Sequence, residues 1–136
     1  MANSFYSYLA FIEPSSNAGI EALKNHLEDF YAKPVITEKQ TITLENNQIE
    51  ILFDDEYRLY VFLSEEDHIN EEAQEFAIEY ELDWNENTFD KEKLKTCKKR
   101  FEIWGDEDFD MDYFNDSLYI IEQIEKFDGI IIFNLE

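Results

Sequence analysis

The sequence predicts an α+β domain: a mainly antiparallel sheet with about three helices packed on it, in the order β-α-β-β-β-α-β-α-β. Three observations lead there. Strand-like and helix-like segments mix without strict alternation, which favours segregated α+β layers over a doubly wound parallel sheet. Twelve Phe, eight Tyr and a 44% hydrophobic content are enough to fill a sizeable core in 136 residues, because each aromatic buries a large apolar area. Only three Gly and two Pro are present, which argues against linkers and for one domain over residues 1–136.

The elements follow in order. Phe5–Ile12 is short and apolar on successive residues, as expected for an inner strand covered on both faces. Pro14 ends it, and Ser15, Ser16 and Asn17 are candidate caps for a helix reaching about Tyr31. Ile20, Leu23, Leu27, Phe30 and Tyr31 recur there at helical spacing. Lys33-Pro34 stops it, since Pro disfavours helix at the preceding residue. Val35 to Leu63 reads as a three-strand meander with breaks at Glu45–Gln48 and Asp54–Glu56. Ser64 and Asp67 resemble a capping box for a second helix running to about Tyr80. Its apolar stripe is Ile69, Ala73, Phe76, Ala77 and Tyr80, and Glu71, Glu72, Glu75 and Glu79 form the opposite face. Thr88–Lys95 offers a further helical turn or two. Phe101 and Ile103 mark a fourth meander-type or edge strand. A third helix is expected from about Asp112 to Phe127, burying Phe114, Leu118, Ile121 and Ile124. Asp128-Gly129 breaks it before Ile130–Phe133, a short apolar strand expected near the sheet centre. Helices are expected on one face of the sheet.

Charge narrows the function. The net charge of −22 makes nucleic acid and anionic membranes poor partners and a basic protein a good one. A single cysteine, Cys97, excludes an internal disulfide. The first residues lack the basic region of a signal peptide, and no apolar run approaches the ~20 residues of a membrane span. A cytoplasmic protein, monomeric or weakly dimeric, is expected.

The densest acidic stretch is W-G-D-E-D-F-D-M-D-Y-F-N-D at residues 104–116, six acids in thirteen positions. Asp106, Asp108 and Asp110 match the first ligands of a calcium loop, but Met111 and Ser117 stand where that loop needs Gly and Glu. Starting at Asp108 puts Tyr113 and Tyr119 there, which fails equally, so no metal or cofactor is expected. Asp110 and Asp112 have a simpler role in offsetting a helix dipole. The remaining acids stand beside aromatics, a combination suited to protein recognition. The expected partner-binding residues are Asp106, Glu107, Asp108, Phe109, Asp110 and Tyr113. Neutralising Asp106, Glu107 and Asp108 together is expected to leave folding stability nearly unchanged.

No catalytic residue is assigned. His26 and His68 form no pattern with Cys97. Glu65-x-x-His68 has di-iron spacing but no second such pair exists in the sequence. There is no Gly-rich phosphate loop. Six of the eleven basic residues, Lys91, Lys93, Lys95, Lys98, Lys99 and Arg100, cluster, and they are expected to pair with the Glu-rich second helix or with the 106–112 loop.

In size, acidity and lack of a signal sequence the chain resembles the bacterial cytosolic immunity proteins that neutralise basic, nuclease-like toxins. The resemblance is to the class, and no motif carries a family site onto particular residues. It implies an inhibitor that works by direct binding and is not an enzyme. The alternatives are a nucleic-acid mimic that blocks a restriction or phage-defence protein, and a small ligand-binding domain with an aromatic pocket.

Overall fold

The computed structural model describes residues 5–34, 39–81 and 91–135. A six-stranded antiparallel sheet is built from β1 (Phe5–Ile12), β2 (Gln40–Glu45), β3 (Gln48–Phe53), β4 (Tyr57–Ser64), β5 (Lys99–Gly105) and β6 (Ile130–Asn134). Four helices accompany it: α1 (Ile20–Tyr31), α2 (His68–Glu81), α3 (Lys91–Lys95) and α4 (Phe114–Glu125). The strand order is β2-β3-β4-β5-β1-β6, so the β2–β4 meander extends through β5 to β1.

Alternation decides the two faces. Ile49, Ile51 and Phe53 of β3 and Leu59, Val61 and Leu63 of β4 point into one core, closed by Leu23 and Leu27 of α1 and Ile120 and Ile124 of α4. Leu9 and Phe11 of β1 and Ile131 and Phe133 of β6 point the other way, into a smaller core with Ile69, Ala73 and Ala77 of α2 and Leu94 of α3. Helices therefore cover both faces, not one as expected. The second cover is partial: among the described residues, no helix joins β2, β3 or β4 in that smaller core.

Two strand positions differ from expectation. Ile130–Phe133 lies at the sheet edge, paired with β1 alone, while β5 is interior, between β4 and β1. The reason is that an unbroken apolar run reports burial of both faces, not centrality. Ile131 and Phe133 enter the smaller core and Ile130 and Ile132 pack on the larger one. β1 is interior, as expected.

Element ends shift too. Gly19 caps α1 in extended backbone, with no side-chain cap, so Ser15–Asn17 precede the helix. Ser64 completes β4 and α2 starts at His68, which removes Ser64 from the capping position. The third expected helix, α4, begins at Phe114 and leaves Leu118 exposed. Val35, Thr88–Asp90 and the Tyr80 side chain lie outside the described residues. The hairpin turns behave as their residues dictate. Asn46 and Asn47 (φ 52° and 64°), and Asp54 and Asp55 (φ 53° and 58°), take left-handed conformations that Asn and Asp tolerate best among non-glycine residues. Gly129 (φ 72°) turns the chain from α4 into β6, and a Cβ there would crowd Glu13.

Candidate functional site

The acidic loop joins β5 to α4, residues 106–113, and its carboxylates divide into an anchored base and a free apex. Gly105 sets the base. A Cβ on it would come within 2.6 Å of both Leu59 Cδ2 and the Tyr57 hydroxyl. Its absence lets Tyr57 reach past and donate to the Asp106 carbonyl at 2.7 Å. The Asp106 carboxylate accepts from the Arg58 amide (3.2 Å) and the Tyr60 hydroxyl (3.3 Å).

Asp108 is only 7% exposed. Its Oδ2 accepts from the Tyr6 hydroxyl (2.7 Å) and the Tyr113 amide (2.8 Å), and its Oδ1 from the Asp112 amide (3.0 Å). A buried carboxylate needs such partners, because desolvation without them is severe. Tyr6 reaches it through a bulge between Phe5 and Tyr8, where Tyr6 takes φ 58°. Tyr113 stacks on Tyr57 with centroids 4.4 Å apart and planes 3° from parallel. Its single hydroxyl proton is shared between Glu56 Oε1 (2.9 Å) and Asp54 Oδ2 (3.2 Å).

These phenols are held protonated. Burial, then the charge of Asp108, pushes the Tyr57 pKa well above the ordinary tyrosine value. Burial, then the bond to Glu56, does the same for Tyr113, and burial with Asp106 raises Tyr60. The arrangement is a set of hydrogen-bond donors saturating carboxylates, poorly suited to supplying a base or nucleophile at neutral pH.

The apex is different. Glu107, Asp110 and Asp112 are exposed. Phe109 stands 79% exposed and Met111 57%. Phe109 touches Phe5 edge-on, centroids 5.2 Å apart. Met111 has φ 57°, a left-handed backbone costing about 1–3 kcal/mol for such a residue. It persists because Asp108 ties down the amides on its far side while Met111 N donates to the Asp108 carbonyl at 3.0 Å.

Of the six expected site residues, Glu107, Phe109 and Asp110 therefore face solvent together, and Asp106, Asp108 and Tyr113 form the supporting base. Neutralising Asp106 and Asp108 would disturb folding, contrary to expectation, since both are structural acceptors. Sequence reasoning missed Tyr6, Tyr57, Tyr60, Asp54 and Glu56. No local pattern marks them, because their partners lie dozens of positions away.

The other singled-out residues are structural. His26 stacks on Phe127 (4.7 Å, 21°) beside the larger core, and Cys97 lies in the smaller core on the opposite face, its thiol pushed up to about 12 by burial. His68 stands between Glu66 (3.2 Å) and Glu72 (3.5 Å). Arg100, buried, bonds Glu72 of α2 and Glu102, each at 2.9 Å. Lys93 and Lys95 pair with Glu13 and Glu92. Among the described residues no group of three or more His, Cys, Asp or Glu side chains could hold a metal ion, and no helix is long and apolar enough to cross a membrane.

Searches found no matching protein-family model, no matching curated protein and no matching solved structure.

Proposed function

We propose that this protein is a small acidic inhibitor that binds a basic protein partner through the 106–113 loop, in the manner of an immunity protein neutralising a nuclease-like toxin. One observation carries the reading: a rigid base presents Phe109, 79% exposed, and Met111 at an apex ringed by Glu107, Asp110 and Asp112. Apolar anchors within a charged rim match the anatomy of binding hot spots. The base fixes the anchors before binding, which reduces the entropy lost on association. The net charge of −22 steers a cationic partner and raises its association rate. An inhibitor of this kind needs no chemistry of its own. An exposed phenyl ring at the apex favours a pocket on a protein over a phosphate-mimicking track of carboxylates.

The test is co-expression in bacteria with a basic nuclease-type toxin domain encoded beside this gene, scored by growth. Protection is expected, and Phe109→Ala with Met111→Ala should abolish it at an unchanged melting temperature. Truncating one anchor should weaken the complex by about 30-fold and truncating both by up to about 1,000-fold, from roughly 2 kcal/mol per hot-spot side chain. Failure to protect, or protection indifferent to the double variant, overturns the proposal.

A further inference from the structure

Among the described residues, a second surface lies on the part of the sheet face that α2 and α3 do not cover. In the register of β3, β4 and β5, Glu50 stands opposite Tyr60 and Tyr60 opposite Trp104. In the neighbouring rows Gln48 faces Phe62 and Phe62 faces Glu102, while Leu52 faces Arg58. These side chains alternate with the buried Ile49, Ile51, Leu59, Val61 and Ile103, so they point away from the larger core. Tyr60 and Trp104 stack at 5.2 Å and 16°. Beyond Trp104, the register of β1 shifts between Phe5 and Tyr8, and the bulge turns Tyr6 into the larger core. The platform continues toward β2 as an open groove of about 440 Å³ lined by Thr43, Glu45, Gln48, Glu50 and Phe62.

We propose that this face docks an arginine-rich segment of a protein partner. Tyr60, Phe62, Trp104 and Leu52 are half-buried, and three part-exposed aromatic rings and a leucine side by side mark an interaction surface when polar groups rim them. The rim here is acidic: Glu45, Glu50, which pairs with Arg58 at 3.5 Å, and Glu102, whose Oε2 is taken by Arg100. A guanidinium fits both halves, because it stacks flat on Trp and Tyr and bonds carboxylates through its fork, which an ammonium does less well. The molecule already uses this chemistry internally. Arg100 lies over the Phe11 ring at 5.5 Å while bonding Glu72 and Glu102. Both Arg100 contacts to Glu102 fall on Oε2. A charge of −22 disfavours a second copy of this chain or a nucleic acid as occupant. The inference shares with the proposed function only a cationic partner, and it does not need the 106–113 loop.

The test titrates the full chain, ¹⁵N-labelled, with nona-arginine and with nona-lysine. The chain has two tryptophans, and a Trp104→Phe variant assigns the Trp104 indole resonance. Saturable shifts of that resonance are expected, with nona-arginine bound several-fold more tightly than nona-lysine, about the size of one or two cation–π contacts. Trp104→Leu should remove the preference for arginine. Arg58→Gln removes the cation on the platform and should tighten binding about threefold, near the strength of one exposed charge pair. Lys24→Gln, an equal charge change at an ion pair on α1, should not. Phe109→Ala should leave peptide affinity unchanged, so failure of the loop and failure of the face are told apart. The proposal is overturned if the Trp104 indole does not shift, or if Arg58→Gln and Lys24→Gln act alike, which would reduce binding to bulk charge.

Discussion

Replacing Asp108 by Asn tests whether the acidic loop is built on a structural carboxylate. The isostere keeps shape and removes one acceptor and the charge. Oδ2 takes two donors, Tyr6 and Tyr113, and Oδ1 takes one, Asp112. The amide nitrogen does least harm in the Oδ1 position, where it confronts the Asp112 N–H and loses that bond. A hydrogen bond to a charged group is worth about 1.5–3 kcal/mol net and a neutral one about 0.5–1.5. One lost bond and two weakened ones sum to about 3–5 kcal/mol. With an unfolding entropy of about 2.1 cal/mol/K per residue, 136 residues give roughly 0.29 kcal/mol per degree, so Tm should fall by about 10–17 °C. The control is Asp110→Asn, an exposed carboxylate two residues on, expected to change stability by no more than about 0.5 kcal/mol. The assay is thermal unfolding followed by circular dichroism, with amide exchange at Asp112 and Tyr113 as a local readout. Those two amides should exchange faster in the Asp108 variant. An Asp108→Asn protein melting within about 3 °C of the parent would refute the reasoning, since the three bonds are together expected to outweigh any relaxation of the loop.

Three further outcomes are expected. Gly105→Ala should destabilise by about 1–3 kcal/mol in urea unfolding, because its methyl has no room between Leu59 and the Tyr57 hydroxyl; an unchanged midpoint would show that the contact yields freely. Tyr57 and Tyr113 have folded pKa values raised by burial, so their contribution is fully present below the unfolded value of about 10 and is lost as pH rises above it. Unfolding free energy should therefore decline above pH 10, and the part of the tyrosinate absorbance that Tyr57→Phe and Tyr113→Phe remove should appear in step with loss of structure, not before it. Cys97, buried and with its thiol pushed up to about 12, should resist a disulfide-exchange reagent at pH 8 in the folded protein and react at once in denaturant; rapid labelling of the native state would contradict its place in the smaller core.

The sequence by itself determined the class of fold, nearly every element and the loop that carries the candidate site. Residue-level periodicity suffices for that. Period-two alternation in Ile49–Phe53 and Tyr57–Leu63 placed the meander, and helical spacing from Ile20 to Tyr31 placed α1. It also singled out residues 106–113 through their acid density. Tertiary structure decided what each of those acids does. Asp108 and Asp110 are chemically identical and two positions apart, yet one is buried under Tyr6 and the other faces water. That difference depends on a partner 102 positions away, which no local pattern encodes. Strand order is the same kind of quantity. Ile130–Phe133 is apolar on both sides because helices cover both faces of the sheet there, and only the pairing of β6 with β1 alone reveals that it is an edge. The open platform of Tyr60, Phe62 and Trp104 was invisible for a related reason. Its residues alternate with core positions as any strand's do, and only the placement of α2 and α3 over β1 and β6 leaves them half-buried, outside both cores, among the described residues.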